Sequence, residues 1–367
     1  MRNQIRGYAF IVAVVASVIL QQPELVTGQA RVPAMFVLGD SLVDVGNNNF
    51  LASVARANYL PYGIDLNFRP TGRFSNGLNF IDLLARLLGI SSPPPFADPT
   101  TSGNRILGGV NYASAAAGIL DESGRNYGDR FSLSQQMVNL QTTLSQLRTM
   151  MSPQNYTDHL ARSLVVLVFG SNDYINNYLM PNLYLSSTRY RPAEFANLLL
   201  TQYARQLRTL YSLGLRRVFI PGVGPLGCIP NQRATGAGPP ERCVDSVNQI
   251  LGTFNQGLRS LVDQLNQRSP GAIFVYGNTY SGVGDILNNP AAYGFSVVDR
   301  ACCGNGRNRG QVSCLPLQSP CPNRSQYVFW DAFHPTQTAL SILVRRAFYG
   351  PPTDAYPVNV QQMILLH

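Results

Sequence analysis

Short apolar runs that alternate with longer amphipathic stretches constrain the fold of this chain most. The apolar runs are rich in Val, Ile or Phe, as buried parallel strands are, and lie at 34–38, 109–112, 164–169, 217–221 and 272–276. The stretches that carry apolar residues at three- and four-residue spacings lie at 79–88, 133–150, 192–213, 244–267 and 336–348. Because this alternation is typical of βαβ units, it predicts a central parallel sheet covered by helices on both faces.

The first thirty residues predict an export signal. A basic start is followed by an uncharged, mostly apolar run at 8–20 and then by the small residues Gly28 and Ala30. The apolar run is shorter than the roughly 20 residues that a membrane span needs, and the polar residues 21–24 disfavour the alternative of an uncleaved signal anchor. We therefore expect a secreted, extracellular chain without a stable membrane span, in which residues 1–30 are a signal peptide and residues 31–367 form one domain.

Composition excludes several classes of protein. Hydrophobic residues make up 45% of the chain and charged residues 13%, which supplies a sizeable core and lacks the signature of disorder. The net charge is +9, and all 28 basic residues are arginines because the sequence contains no lysine. These arginines are scattered rather than clustered with aromatic residues, so we expect no nucleic-acid partner. A solvated basic surface is the main interpretation, and attraction to acidic polysaccharide or anionic lipid outside the cell is the secondary one.

The six cysteines support an oxidising compartment. They are even in number and all lie between positions 228 and 321, as expected for disulfides in an exported chain. Proximity along the chain suggests that Cys228 pairs with Cys243 and that the other four close the loop at 302–321. No histidine lies among them, so no metal site is predicted. Asn155 and Asn323 begin glycosylation sequons.

A serine stands at the end of the first predicted strand. Residues 39–42 read Gly-Asp-Ser-Leu and directly follow the apolar run at 34–38. Chemistry in open α/β sheets collects at the carboxyl ends of strands, which makes Ser41 a candidate nucleophile. Taken alone, the same residues are also an ordinary strand end and helix cap.

Only one histidine is suited to be the base for this serine. His367 is the last residue, and His159 lies beside a glycosylation sequon and is expected to be exposed. His334 follows Asp331 by three residues, so the carboxylate can accept the Nδ1 proton and leave Nε2 free to act on a hydroxyl. The alternative is that His334 only caps the helix after Pro335.

An acyl-transfer site also needs donors for the oxyanion. The run at 164–169 delivers Asn172 to the edge of the sheet that holds Ser41, and the run at 109–112 leads into small residues ending at Gly118, where a backbone N–H can approach a ligand. The alternative is that Asn172 and Gly118 only supply turn geometry.

Four ordered blocks resemble those of the GDSL esterase/lipase family, also called SGNH hydrolases. They are residues 39–42, residues 111–118, residues 170–173, and Asp331 with His334. Residues 224–228 and 301–304 further resemble the secreted plant branch, although that branch often has more glycines at 115–117. The resemblance implies a flavodoxin-like three-layer α/β/α sandwich with a central parallel sheet, the SGNH hydrolase fold.

The resemblance also implies roles for these residues. Ser41 is the expected nucleophile, His334 the base and Asp331 its orienting carboxylate, while the Ser41 backbone N–H, Gly118 and Asn172 are the expected oxyanion donors. The expected activity is hydrolysis of small-molecule or lipid acyl esters through an acyl-serine, without a cofactor or metal, in the cell wall or apoplast. The alternatives are an acyltransferase or a polysaccharide acetylesterase acting on acylated cell-wall polysaccharide, or a catalytically idle glycan-binding protein.

Two other patterns point to different chemistry. Residues 222–227 satisfy G-x-G-x-x-G after a predicted strand, but Pro225 and Pro230 fall where a dinucleotide-binding helix would open. Asp40, Asp44 and Asp173 resemble a metal site or a glycosidase carboxylate pair. We expect these three aspartates to cap helices and hold loops.

Overall fold

The computed structural model describes residues 31–238 and 243–366. The predicted signal peptide and His367 lie outside the described residues. A five-stranded sheet forms the centre, in the order β1-β2-β3-β4-β7. The strands of both sheets are Met35–Gly39 (β1), Leu164–Val168 (β2), Arg217–Pro221 (β3), Ile273–Gly277 (β4), Val297–Ala301 (β5), Tyr327–Phe329 (β6) and Ala355–Tyr356 (β7).

The central sheet is parallel except at one edge. The pairs β1–β2, β2–β3 and β3–β4 are parallel and in continuous register, whereas the short β7 runs antiparallel to β4. The four parallel strands confirm the predicted apolar runs to within one residue at each end. Because all four point the same way, their carboxyl ends form one edge, and the residues that follow them lie close together.

The predicted strand at 109–112 is not a regular strand. Asn111 forms isolated parallel bridges with Val37 and Pro95, and the Val37 N–H donates to the Val110 carbonyl. The bridge between Pro95 and Asn111 does not extend into a regular ladder, because proline has no N–H to donate a further hydrogen bond. This segment nevertheless lies beside β1, which gives the 2-1-3-4-5 arrangement of flavodoxin-like folds.

Eleven α-helices surround the sheet in the described part of the chain. They are Phe80–Leu88 (α1), Leu133–Met150 (α2), Pro153–Arg162 (α3), Ser171–Asp173 (α4), Ser186–Arg189 (α5), Pro192–Ser212 (α6), Pro230–Ala234 (α7), Asp245–Arg268 (α8), Thr279–Asn288 (α9), Gln337–Tyr349 (α10) and Val360–Leu365 (α11). The five predicted helices agree with α1, α2, α6, α8 and α10 to within one residue at each end. Asn79 and Thr336 cap α1 and α10, since their side chains accept backbone N–H groups of the first turn.

Alternate strand residues feed two hydrophobic cores, one on each face of the sheet. Phe36, Leu38 and Leu167 belong to the core covered by α2, α6 and α8. Val37 and Val166 point the other way, into the core covered by α1, α10 and α11. This period-two division makes the molecule a three-layer α/β/α sandwich, as predicted.

Three disulfides lie in the carboxyl-terminal half. They join Cys228 to Cys243, Cys302 to Cys321 and Cys303 to Cys314, which confirms the first predicted pair and the closed loop at 302–321. Strands β5 and β6 form a separate two-stranded sheet next to that loop. No helix in residues 31–238 or 243–366 is long and apolar enough to cross a bilayer.

Candidate active site

Ser41 is delivered to the sheet edge by a tight turn after β1. The side chain of Gln136 holds both backbone polar groups of Gly39, at 2.8 Å each. A Cβ atom at Gly39 would lie 2.4 Å from Val43 Cγ2, so only glycine fits there. The N–H groups of Val43 and Asp44 both donate to the Asp40 carbonyl, which closes the turn around Ser41.

Ser41, His334 and Asp331 form one continuous hydrogen-bonded chain. The His334 Nε2 lies 2.7 Å from the Ser41 Oγ, and the His334 Nδ1 lies 2.8 and 2.9 Å from the two carboxylate oxygens of Asp331. Asp331 and His334 are both buried. The structure therefore brings the predicted nucleophile, base and orienting carboxylate together although they lie far apart in sequence.

The carboxylate of Asp331 is held by several donors. The Phe333 and His334 N–H groups donate to Oδ1 at 2.9 and 2.8 Å, and the Tyr62 hydroxyl donates to Oδ2 at 2.7 Å. Burial alone would raise the pKa of Asp331, but the charge of His334 and these hydrogen bonds together lower it below the ordinary value. Asp331 is thus kept ionised where it faces the imidazole. Sequence reasoning missed Tyr62, which lies in a loop without a recognisable motif.

His159, the other described histidine, lies in helix α3 and not at this site. His159 is half-buried in α3 rather than exposed as predicted, and burial lowers its pKa. Helix α3 packs its apolar residue Leu160 into the core, and this draws the neighbouring His159 ring partly out of solvent.

The side chain of Asn172 is held at the cavity wall by three partners. Its Nδ2 donates to the Ala117 carbonyl at 2.9 Å and lies 3.4 Å from Asp40 Oδ2, while its Oδ1 accepts from Asn176 Nδ2 at 2.6 Å. One amide hydrogen is therefore well bonded, and the other has only a long contact. That second hydrogen remains available to a ligand in the cavity that Ser41 and Asn172 both line.

Gly118, the predicted backbone oxyanion donor, directly precedes the Ile119 and Leu120 N–H groups that donate to Asp173. It is not among the described residues that line the cavity, and a Cβ atom there would lie 2.6 Å from both Asp173 Oδ1 and Ser123 Cβ. A glycine is required at this position because the Asp173 carboxylate packs against it. The role of Gly118 as an oxyanion donor stays a prediction.

Ala115 and Ala116 line the cavity instead. Ala116 has a φ of 67°, a left-handed conformation that glycine ordinarily occupies. Among the described residues, no acceptor is bonded to the backbone N–H of Ala116 or of Ser41. Ser41 and Ala116 thus both line the cavity and both have a backbone N–H without an acceptor among the described residues.

A buried network ties the serine turn to the alanine turn. Asn48 Oδ1 accepts from the Ser114 hydroxyl at 2.6 Å and from the Ala115 N–H at 3.1 Å, and Asp44 Oδ1 accepts the N–H groups of Gly46 and Asn47. Sequence reasoning did not single out Asn48, although an Asn-rich run at 47–49 just after the serine block was its available signal. The network fixes the position of the cavity wall relative to Ser41.

The three buried aspartates hold loops, as predicted. Asp173 accepts from the Ile119 and Leu120 N–H groups and the Ser123 hydroxyl. Burial raises the pKa of Asp40 to about 7 and the pKa values of Asp44 and Asp173 to about 6, against the effect of their hydrogen bonds. In residues 31–238 and 243–366 no group of three or more His, Cys, Asp or Glu side chains is arranged to hold a metal ion.

A cavity of about 450 Å³ opens at the Ser41–His334 pair. One part, which we call the apolar arm, runs across the carboxyl edge of the sheet to Gly277 at the end of β4 and is lined by Phe219, Leu226, Val283 and Leu343. The other part lies on the opposite side of Ser41. It is lined by Val54, Ala55, Arg56, Tyr59, Ala116, Tyr127, Gln311 and Ser313.

The glycine-rich stretch at 222–227 forms part of this cavity wall rather than a dinucleotide site. It leads into a 3₁₀ turn at Leu226–Cys228 and then into the short helix α7, which begins at Pro230. Gly222 and Gly224 both line the cavity. A helix N-terminus of the kind that binds pyrophosphate does not follow β3.

The fold and the hydroxyl–imidazole–carboxylate chain define the class of carboxylic ester hydrolases, and comparison with known proteins agrees. The model of the GDSL-like lipase/acylhydrolase family matches residues 35–347. The chain belongs to this family.

Relatives from Arabidopsis thaliana cover nearly the whole chain. GDSL esterase/lipase At1g71250 is 85% identical over 367 residues, which is 100% of this chain and 98% of that protein. GDSL esterase/lipase At5g08460 is 54% identical over 338 residues, covering 91% of this chain and 88% of the relative. GDSL esterase/lipase 7 is 46% identical over 357 residues, covering 95% and 98%. The chain is accordingly a carboxylic ester hydrolase of the plant GDSL type.

Proposed function

We propose that this enzyme hydrolyses acyl esters of lipid type through a covalent acyl-serine on Ser41. The observation that carries the proposal is the 2.7 Å contact between His334 Nε2 and Ser41 Oγ, in a cavity with an apolar arm. A neutral imidazole with its Nδ1–H held by Asp331 presents Nε2 as an acceptor for the serine proton.

The reaction proceeds in two acyl transfers. His334 Nε2 takes the Ser41 proton as the oxygen attacks the ester carbonyl, and then gives it to the leaving alcohol. A water molecule next loses a proton to the same nitrogen, attacks the acyl-serine and releases the acid, and the proton returns to Ser41. Asp331 stays ionised throughout and stabilises the imidazolium.

The tetrahedral oxyanion is stabilised by three N–H donors. We assign these to the backbone of Ser41, the backbone of Ala116 and the side-chain amide of Asn172. The first two have no acceptor in the described part of the chain, and the third has one hydrogen with only a long contact. Ala116 replaces Gly118 in this role because Ala116 lines the cavity.

The apolar arm takes the acyl chain. It spans from β1, which bears Ser41, to β4, three interstrand spacings and thus about 14 Å. A fully extended chain advances about 1.2 Å per single bond, since three backbone bonds span at most about 3.6 Å, so the arm accommodates roughly a dozen carbons. This length favours a medium-chain lipid ester over the acetyl groups of a polysaccharide. The hydrogen-bonded chain of Ser41, His334 and Asp331 favours hydrolysis over the catalytically idle alternative.

Export and glycosylation belong to the same proposal. Residues 1–30 act as a signal peptide, residues 31–367 form one hydrolase domain, and the product acts outside the cell in the wall or apoplast. Three disulfides favour an oxidising compartment. Asn155 and Asn323 are both exposed and accessible to a glycosyltransferase.

Turnover of p-nitrophenyl octanoate by Ser41→Ala tests the proposal. We expect the variant to lose at least about 10³-fold in kcat while its thermal unfolding is unchanged. Ser171→Ala is the matched control, since Ser171 lines the same cavity but does not contact His334, and it should keep most of the activity. Turnover in Ser41→Ala near the wild-type rate would reject Ser41 as nucleophile.

A further inference from the structure

Among the described residues, two arginines line the cavity, and only one of them is paired with carboxylates. Arg346, beyond the apolar arm, donates from Nη2 to Asp285 Oδ2 and to Asp354 Oδ1, both at 2.6 Å. Arg56, on the other side of Ser41, has no carboxylate partner among the described residues. Asp354 is the one acidic residue among the described residues lining the cavity, and it is committed to Arg346.

The guanidinium of Arg56 is also short of hydrogen-bond acceptors. Its Nη2 donates to the Leu51 carbonyl, and its Nε is buried without any acceptor in the described residues. A half-buried cation with an unbonded donor is costly to keep, because it has lost water contacts without full replacement. Local costs of this kind are typical of functional sites, where a ligand supplies the missing partner.

The segment that carries Arg56 is fixed beside the proposed oxyanion donors. Asn48 Nδ2 donates to the Ala55 carbonyl at 2.9 Å and to the Ala115 carbonyl at 3.2 Å. The Val54 N–H donates to the Tyr127 carbonyl at 2.9 Å. Arg56 therefore lies across Ser41 from the apolar arm, where the alcohol part of an ester extends when its acyl chain fills that arm.

We propose that Arg56 binds an anionic group, a carboxylate or a phosphate, on the alcohol part of the substrate. A guanidinium presents a planar fork of N–H donors that matches either anion. The neutral polar residues Tyr59, Gln311 and Ser313 line the same cavity, and they carry no charge that could cancel that of Arg56. The proposal rests on the proposed function, since it assumes that acyl esters are cleaved at Ser41, and it narrows the substrate to an amphipathic ester with an anionic head.

Matched pairs of octanoyl esters test the inference. The first pair is the octanoyl ester of 4-nitrophenol and that of 3-carboxy-4-nitrophenol, and the second is octanoylglycerol and octanoylglycerol 3-phosphate. We expect wild-type enzyme to prefer the anionic member of at least one pair, and Arg56→Gln to lower the anionic-to-neutral ratio of kcat/KM by about 10- to 100-fold. The pair that responds tells whether the anion is a carboxylate or a phosphate. Arg56→Lys, which keeps the charge but not the fork, should give an intermediate ratio.

Arg69→Gln is the control for net charge. Arg69 is exposed on the adjoining loop and does not line the cavity, so its variant removes the same charge and should keep the wild-type ratio and activity. A wild-type ratio near one in both pairs, or the same ratio in Arg56→Gln as in wild type, would overturn the inference.

Binding without turnover separates this inference from the proposed function. Calorimetry with the ether 1-O-octylglycerol 3-phosphate, and with an ether analogue carrying a carboxylate, should show at least one of them binding wild-type protein about tenfold or more tightly than Arg56→Lys. Failure of wild-type enzyme to hydrolyse any ester would reject the proposed function even if this difference remains. Equal affinities in wild type and Arg56→Lys for both analogues would reject the role of Arg56 even if the esters are cleaved.

Discussion

The hydroxyl of Tyr62 donates a 2.7 Å hydrogen bond to Oδ2 of Asp331, from a position 269 residues away in sequence. Tyr62 is buried in a cluster with Trp330 and the four cysteines of the loop at 302–321. The ring of Phe74 packs on both Tyr62 and His334. The disulfide-closed loop thus supports the back of the Asp331–His334 pair, and Tyr62 is a positioning residue for it.

Tyr62→Phe should change both the rate and its pH dependence. Loss of one donor leaves more negative charge on Asp331, which holds the protonated imidazole more tightly, so the acid limb of kcat/KM should move to higher pH. We expect kcat to fall by about 10- to 100-fold, the size of one hydrogen bond to a charged group. A full pH profile measures both effects.

Tyr59→Phe is the matched control for this prediction. Tyr59 packs edge-on against Tyr62, but its hydroxyl donates to the Cys314 carbonyl rather than to Asp331. Loss of the Tyr59 hydroxyl should leave the acid limb of the kcat/KM profile at the same pH as in wild-type enzyme. Coincident pH profiles of Tyr62→Phe and wild type would show that the hydrogen bond does not tune the carboxylate.

Asn172→Ala should lower kcat by about 10²- to 10³-fold with little change in KM, because its amide acts on the oxyanion and not on the ground state. Ala116→Gly provides the contrast. It keeps the backbone N–H and removes the strain of alanine at a φ of 67°, so the variant should retain activity. Steady-state kinetics of both variants decide the assignment, and wild-type kcat in Asn172→Ala would refute it.

Stability should fall as pH rises through the slightly acidic range. Burial raises the pKa of Asp40 to about 7 and the pKa values of Asp44 and Asp173 to about 6, from 3.8. At pH values between 3.8 and these raised pKa values, the folded state holds protons that the unfolded state has released. The free energy of unfolding therefore decreases with increasing pH in this range. The pKa of Asp331 is lowered, so this carboxyl changes the free energy of unfolding only below pH 3.8, outside this range.

Thermal unfolding at about pH 5 and about pH 7.5 measures this effect. We expect the free energy of unfolding to be larger at the lower pH by more than about 1 kcal/mol. Asp40→Asn, which removes the carboxyl with the highest of these pKa values, should flatten the dependence. Stability that increases between the two pH values would contradict the buried-carboxyl account.

Narrowing the apolar arm should shorten the accepted acyl chain. Val283→Trp places a bulky ring in the arm, so kcat/KM for dodecanoyl esters should fall at least about tenfold relative to butanoyl esters. Ser281→Trp, on the same helix but exposed and away from the cavity, serves as control. An unchanged chain-length profile in Val283→Trp would place the acyl chain elsewhere.

Much of the fold was predictable because its core obeys simple periodicity. Runs such as Leu164–Val168 are buried on both faces and read as continuous apolar segments. Strand β5 was not predicted because its residues are mostly half-exposed, and strand β7 was not predicted because it is only two residues long. Neither carries an apolar run that periodicity can detect.

The residues whose side chains carry the chemistry were easier to predict than the residue whose backbone N–H would bind the oxyanion. His334 belongs to a rare residue type, since the chain has only three histidines, and Asp331 is found from it by its three-residue spacing. The backbone donor is harder to predict, because a left-handed φ favours glycine, whereas the structure has alanine with this conformation at position 116. Tyr62 and Arg56 reach the site only through loop conformation, which the sequence does not encode as a motif.

Covalent labelling with a fluorophosphonate tests most directly whether His334 activates Ser41 as the nucleophile. The reagent mimics the acyl transfer step and traps an activated serine, so peptide mass mapping after reaction identifies the residue. The account predicts one adduct per chain, located on Ser41, and labelling slowed by at least about 10³-fold in His334→Ala. An adduct on another serine, or labelling of His334→Ala at the wild-type rate, would contradict it.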